Sequence, residues 1–278
     1  MDTDAAFDSI RQDIAAGRTA DVGVKVTAIA DSTDDPFELI KCMSLLRVVE
    51  DNATMSELAK KLVSNLGDDV KVRAEIAGAL RGLDYPIYAY DILKPMEKDD
   101  SIRRLSTVCL MDMEEYESAN AMVQQIEKPV IVDRIYTAEI ESSLGEHTRA
   151  VETSTALLAD YPKDYDVMVC YVSTLILAGH DKDALKFGRA ALKEKNADGN
   201  ALAAYVMRVL GNVKAAGGYA ARAVKMNPKH IGAMETLGIC LAQKGEYDKA
   251  RIVAGAINEA SPGNRAALNV LSYCDDQN

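Results

Sequence analysis

The chain has 278 residues, of which 48% are hydrophobic and 27% are charged. These fractions are typical of globular proteins and exclude a wholly disordered chain. Lys and Arg total 32 against 43 Asp and Glu, giving a net charge of −11, which repels a phosphate backbone. The absence of Trp and the 5% aromatic content disfavour stacking of single-stranded nucleic acid. The sequence therefore predicts no nucleic-acid partner.

The charge is distributed unevenly along the chain. Residues 1–200 contain 37 acidic and 23 basic residues, a net of −14, whereas residues 201–278 contain 6 acidic and 9 basic residues, a net of +3. Two interpretations remain open. Both halves are solvated surface, or a basic C-terminal patch binds an acidic partner or the acidic N-terminal half of a second copy of the chain.

The cysteines and the N-terminus indicate a cellular compartment. The five cysteines are an odd number, widely spaced and without a C-x-x-C pair, which predicts buried free thiols in a reducing compartment. The N-terminal sequence MDTDAAFDSIRQDIAAG is acidic and lacks the apolar run of a signal peptide. No stretch approaches the 18 apolar residues of a membrane span. We expect a cytoplasmic protein that does not bind a membrane.

Helical periodicity runs through the chain from its N-terminal part onward. Apolar residues recur at helical spacing, as in Phe37, Ile40, Met43 and Leu46, and no alternating β pattern occurs. Helix pairs are predicted at roughly 4–33, 36–66 and 68–97, with Gly17 and Gly82 as candidate turns between paired helices. Asp34-Asp35, Asp68-Asp69 and Asp99-Asp100 precede predicted helix starts, where capping is favoured over acid–base catalysis or Ca²⁺ binding.

Three residue types then mark a repeat from about residue 130 onward. Glycines recur at intervals of 34, 32 and 34 residues, and an alanine follows each glycine by five residues. The markers are Gly145, Gly179, Gly211 and Gly245, then Ala150, Ala184, Ala216 and Ala250, with Pro162, Pro228 and Pro262 closing the units. The prolines show the same short interval as the glycines, because the 66 residues from Pro162 to Pro228 equal one interval of 34 and one of 32. Three markers with one irregularity indicate a repeat of about 34 residues.

These residues resemble the tetratricopeptide repeat family. The unit at 231–264 matches best, through Leu237-Gly238, Gly245-Glu246-Tyr247, Ala250 and Pro262, and the units at 131–164, 165–196, 197–230 and 100–130 match less well. The resemblance implies an all-α, right-handed α-solenoid of about eight helix-turn-helix repeats. Residues 1–99 would form degenerate repeats, 100–264 the clear repeats, and 265–278 a C-terminal capping helix and tail. Gly238 and Ala250 are expected to face each other within one helix pair.

One unit departs from the family pattern. Glu141 falls at a core position of the unit 131–164. A carboxylate is unexpected in the core, so one interpretation is that the first helix of this unit is offset by one residue. Ile135, Tyr136, Ile140 and Leu144 would then form its buried stripe.

No catalytic constellation emerges from the sequence. His147 and His180 fall in predicted turns and His230 ends a unit, so we expect solvent-exposed histidines with no metal ligand among them. No phosphate-binding glycine loop or nucleophile motif occurs. The sequence therefore predicts a protein that is not an enzyme and that has no cofactor and no metal site.

The resemblance implies instead a groove lined by the first helix of each unit. The predicted groove residues are Val169, Ser173, Ile176, Tyr205, Arg208, Glu235 and Ile239. A lone arginine cannot clamp two carboxylates, and the apolar positions favour an amphipathic helix or an extended apolar segment as partner. The alternative is that these residues bury against a neighbouring repeat. We expect a scaffold that binds a protein or peptide, with a self-assembling structural or regulatory solenoid, or a non-catalytic subunit of a larger complex, as the alternatives.

Overall fold

The structure is a computed structural model that describes residues 3–49, 51–96, 98–261 and 264–275. Over these residues it is 79% helical, with 17 α-helices and no strand. The predicted all-α repeat class is therefore confirmed. In chain order, helices packed as consecutive pairs make up most of the chain: three pairs precede residue 99 and four lie between residues 131 and 260. We call the first helix of each pair helix A and the second helix B.

The chain divides into two compact units, Met1–Glu114 and Glu115–Asn278, here called unit 1 and unit 2. Unit 1 contains α1 (Thr3–Ala15), α2 (Val22–Asp31), α3 (Pro36–Val48), α4 (Asn52–Asn65), α5 (Val70–Gly82), α6 (Pro86–Leu93) and α7 (Asp100–Asp112). Unit 2 contains α8 (Tyr116–Val123), α9 (Ile131–Ser143), α10 (His147–Asp160), α11 (Tyr165–Leu177), α12 (Asp181–Ala191), α13 (Ala197–Val209), α14 (Val213–Met226), α15 (Ile231–Ala242), α16 (Tyr247–Ala260) and α17 (Arg265–Asp275). The sequence division at 99/100 concerns repeat regularity and stays a prediction.

Within unit 2 the helices A form a continuous layer. α9 contacts α11, α11 contacts α13, α13 contacts α15 and α15 contacts α17, while each helix B packs between its own helix A and the next. In unit 1 the same order holds, with α3 on α5 and α5 on α7. Each pair thus buries its apolar face against its neighbours, as repeat proteins require.

The turns between paired helices use a left-handed residue. Gly145, Gly179, Gly211 and Gly245 have φ between 78° and 82°, which explains their periodic placement. After α9, the amide of Glu146 donates to the Glu141 carbonyl at 2.8 Å and the amide of Gly145 donates to the Ser142 carbonyl at 3.1 Å. This pair of bonds is a Schellman motif, which satisfies carbonyls at the helix end.

Unit 1 builds the same turn with less glycine. Gly17 has φ of 72°, as the sequence predicts. The prediction for Gly82 is displaced by two residues, because Gly82 ends α5 and Asp84 is the left-handed residue with φ of 68°. Glu114 has φ of 62° after α7. Non-glycine residues in this conformation carry a steric cost that glycine avoids.

The predicted aspartate caps are confirmed. Asp35 accepts from the amides of the second and third residues after it at the start of α3, and Asp69 does the same for α5. Asp99 accepts from the Ser101 amide at the start of α7. These carboxylates satisfy amides that the first helical turn leaves unpaired.

Small residues allow close packing between the helices. The four marker alanines are fully buried. At Gly238, the atoms nearest to an added Cβ would be the two γ-methyls of Val270 on α17, at 2.7 Å, and Cγ1 of Val253 on α16, at 3.3 Å. The nearest neighbour of Gly238 is thus α17, followed by α16, and the expected facing of Gly238 and Ala250 stays a prediction.

The cysteines and prolines lie largely where the sequence predicts them. All five cysteines are buried free thiols, as predicted. Pro162 and Pro228 follow the ends of α10 and α14 by two residues, and Pro262 lies outside the described residues. Across the described part of the chain, no helix combines the length and apolar character needed to cross a bilayer.

Candidate protein-binding groove

Two adjoining depressions lie on the helix A face of unit 2. The first depression has a volume of about 400 Å³ and is lined by residues of α9 together with Asp164, Asp166 and Val169. The second depression has a volume of about 460 Å³ and is lined by residues from α11, α13, α15 and α17 and the loops that precede α15 and α17. Asp166 and Val169 line both depressions. We call the two depressions together the groove.

Five of the seven predicted groove residues lie close together. Val169, Tyr205 and Glu235 line the second depression. The Ser173 hydroxyl and the Tyr205 hydroxyl lie 2.7 Å apart, within hydrogen-bonding distance. The Arg208 guanidinium stands 5.5 Å from the centroid of the Tyr205 ring, a cation–π geometry. These side chains form one surface across α11, α13 and α15.

The other two predicted groove residues, Ile176 and Ile239, pack mainly against neighbouring helices. Ile176 is half-buried and packs beside the apolar cluster between α11 and α13. Ile239 is only 3% exposed and lies in the cluster that includes Ala266 and Val270 of α17. The structure therefore places Ile239 in the core of the last repeat, because α17 packs over α15.

A half-buried carboxylate that sequence reasoning missed lines the first depression. Glu139 lies on α9, and burial, followed by the charge of Asp166, raises its pKa to about 7. The pKa of Asp166 is also raised, by burial first and then by Asp164. Among the described residues, no Lys or Arg nitrogen pairs with either carboxylate.

Glu139 faces the groove because the register of α9 is not offset. Glu141 is 3% exposed and occupies the core position, where Arg149 Nε lies 2.9 Å from one carboxylate oxygen and the Thr153 hydroxyl donates to the other at 2.8 Å. The offset interpretation is therefore wrong: α10 supplies the partners that make a core carboxylate tolerable. Tyr136, expected in the buried stripe, lines the first depression instead.

His230 corrects the expectation of exposed histidines. It is 8% exposed and caps α15, with Nδ1 accepting from the Ala233 amide at 3.3 Å. Its Nε2 lies 3.3 Å from Asp198, and its ring meets the Tyr165 ring edge-on with centroids 4.5 Å apart. His230 thus lines the second depression and contacts α11 through Tyr165 and α13 through Asp198.

The groove presents tyrosine rings, carboxylates and one guanidinium. No nucleophile is paired with a base along these walls. The described residues include no group of three or more His, Cys, Asp or Glu that could hold a metal ion.

Solved structures of repeat proteins are similar to this chain. A tetratricopeptide repeat protein from Parabacteroides merdae is 12% identical, with a TM-score of 0.51 over 86% of this chain and 98% of that one. A thermophilic TPR protein from Thermus thermophilus is 15% identical, with a TM-score of 0.45 over 63% of this chain and 98% of that one. No protein-family model and no curated protein matches the chain.

The molecule is thus an all-α repeat protein built from consecutive antiparallel helix pairs. More specifically, its fold is the tetratricopeptide repeat fold, and the resemblance predicted from the sequence is confirmed.

Proposed function

We propose that this chain is a non-enzymatic scaffold that binds a segment of a partner protein in the groove of unit 2. The observation that carries the proposal is the pair of adjoining depressions, whose walls come from successive helices A. A recess that continues from one repeat to the next suits an extended or helical segment better than a small molecule.

Two polar features of the groove support this proposal. Arg208 Nε is buried and has no acceptor among the described residues. Buried donors without an acceptor are rare, and a carbonyl or carboxylate of a bound segment would supply one. Tyr205 stands beside it, and Tyr and Arg are the residue types that most often anchor interfaces.

The test is a paired comparison on the two faces of the repeats. Tyr205→Ala with Arg208→Glu removes the groove anchor on α13. Tyr219→Ala with Arg222→Glu is the matched control on α14, where Arg222 stacks on Tyr219 at 4.4 Å with the same spacing. Both double variants change the charge equally.

We expect the groove variant to lose capture of the native partner from cells that express the chain, while the control retains it. Helix content by circular dichroism should be unchanged in both. Loss of capture in the control alone would place the partner on the helix B face. A mass that rises with concentration in light scattering would favour self-assembly instead.

A further inference from the structure

We propose that the first depression is a subsite for a cationic side chain with an aliphatic stem, lysine or arginine, carried by the bound segment. The inference rests on the proposed scaffold function and adds the chemistry of the segment to it. It also revises the sequence expectation of an apolar groove, since the lining of both depressions includes carboxylates.

The charges of the first depression are unbalanced. Glu139 projects into it from α9 and Asp166 enters it at the start of α11. The nearest arginines on this repeat are engaged elsewhere: Arg134 binds Asp160 at 2.7 Å, and Arg149 binds Glu141 on the α10 side. The lining of the depression therefore includes three acidic side chains, those of Glu139, Asp164 and Asp166, and no Lys or Arg among the described residues.

Burial makes that imbalance costly. Glu139 makes no hydrogen bond or ion pair within the described part of the chain, and its raised pKa reports the cost of ionising it there. A buried charge without a partner destabilises a protein, and an opposite charge brought by a ligand offsets that cost. A bound cation would be attracted to the carboxylates, and it would also lower the free-energy cost of ionising Glu139 away from water.

The shape of the depression fits the rest of a lysine or arginine side chain. Ile131, Val132 and Ile135 provide aliphatic wall on the α9 side, and Val169 provides it on α11. Basic side chains bury their methylene stems against such surface and direct the charged head to polar groups. A volume of about 400 Å³ accommodates one such side chain.

The test measures binding of synthetic fluorescein-labelled peptides by fluorescence anisotropy. Three probes are compared: leucine alternating with lysine, with arginine or with glutamate. The variants are Glu139→Gln and Asp166→Asn, which remove charge while nearly preserving shape. Glu152→Gln, on the exposed face of α10, is the control with the same substitution and the same change in net charge.

We expect the lysine and arginine probes to bind the wild-type protein and the glutamate probe not to bind. Glu139→Gln and Asp166→Asn should each weaken the basic probes roughly tenfold, as loss of a charge-assisted hydrogen bond does. Glu152→Gln should leave affinity unchanged, because Glu152 lies outside the depression. General attraction to an acidic protein would instead weaken binding equally in Glu152→Gln and Glu139→Gln, and that result would overturn the proposal.

The pH dependence gives a second readout. Asp166 and Cys170 of α11 and Tyr205 of α13 interact electrostatically with Glu139. Asp164, which precedes α11, and His230 act on Asp166. Between pH 6 and pH 8 Glu139 loses its proton, so affinity for the basic probes should rise in the wild type. The increase should shrink in Glu139→Gln, which lacks the titrating carboxyl.

Two other results would also overturn the proposal. One is equal binding of the lysine and glutamate probes with no effect of Glu139→Gln. The other is no saturable binding of either basic probe. The scaffold function is judged separately, by partner capture with the Tyr205 and Arg208 variant, so it can stand when the cation subsite fails.

Discussion

Gly238 on α15 gives the sharpest test of how the last repeat packs. A Cβ at this position would lie 2.7 Å from both γ-methyls of Val270 and 3.3 Å from Cγ1 of Val253. Val270 is fully buried and β-branched, so its methyls cannot rotate out of the way without strain. Gly238→Ala therefore forces α15 and α17 apart.

The net cost follows from two opposing effects. Overpacking a core by one methyl group costs about 1–3 kcal/mol. Replacing a glycine inside a helix by alanine returns about 0.5–1 kcal/mol, because glycine loses more backbone entropy on folding. Gly238→Ala should lower the free energy of unfolding by about 1–2 kcal/mol. Gly255→Ala, at an exposed helical site with open space around the added Cβ, should raise it by about 0.5–1 kcal/mol.

A double-mutant cycle with Val270→Ala assigns the cost to the named contact. Removing the valine methyls frees the space that the new Cβ needs, so the two changes should couple favourably by about 1–2 kcal/mol. Urea unfolding measures the energies, and hydrogen exchange should show the loss concentrated in α15, α16 and α17. Equal stability of Gly238→Ala and Gly255→Ala would refute the packing described here.

Three further predictions concern charge and backbone. Glu139 has a folded-state pKa of about 7 against 4.5 ordinarily, so ionising it weakens the fold as pH rises. Glu139→Gln should therefore be more stable than wild type by about 1–3 kcal/mol at pH 8, with the gain lost towards pH 4.5 in urea unfolding; an equal gain at both values would contradict this. Glu114→Gly should raise the free energy of unfolding by up to about 1 kcal/mol, because glycine relieves a left-handed φ of 62°. Gly245→Ala should lower it by about 1 kcal/mol, and the reverse result for either variant would count against the shared turn. Arg149→Met should cost about 2 kcal/mol, because Glu141 would keep only Thr153 as a partner, and a neutral effect would exclude a structural role for that ion pair.

The sequence predicts the parts of the fold that depend on local backbone chemistry. A glycine at each turn of the regular repeats predicts a residue with left-handed backbone conformation, and an aspartate before a helix predicts an N-cap. Both predictions succeed because each conformation depends on only a few neighbouring residues. Asp84 and Glu114 adopt the same turn without that signal. Backbone hydrogen bonds that any residue can make close these turns, such as the Tyr85 amide to the Leu80 carbonyl at 2.9 Å, so residue type carries no signal there.

The sequence predicts the groove less completely than the turns, because the positions of Glu139 and Ile239 depend on contacts with neighbouring helices. Glu139 occupies the same repeat position as Ser173 and Tyr205, so the unshifted register of the family would have included it. The register of α9 is uncertain from the sequence because Glu141 falls at a core position. Its ion-pair partner Arg149 lies on the next helix, and residue spacing alone does not identify that pair. Ile239 was misplaced for a related reason, since its burial depends on α17.

The most direct test of the central claim is photo-crosslinking from two positions of the full chain. A photoreactive amino acid replaces Val169, which lines both depressions, or Ile252, which is 71% exposed on α16. We expect position 169 to crosslink the native partner through a segment containing lysine or arginine, identified by mass spectrometry, and position 252 not to crosslink it. Crosslinking from position 252 and none from position 169 would contradict binding in the groove.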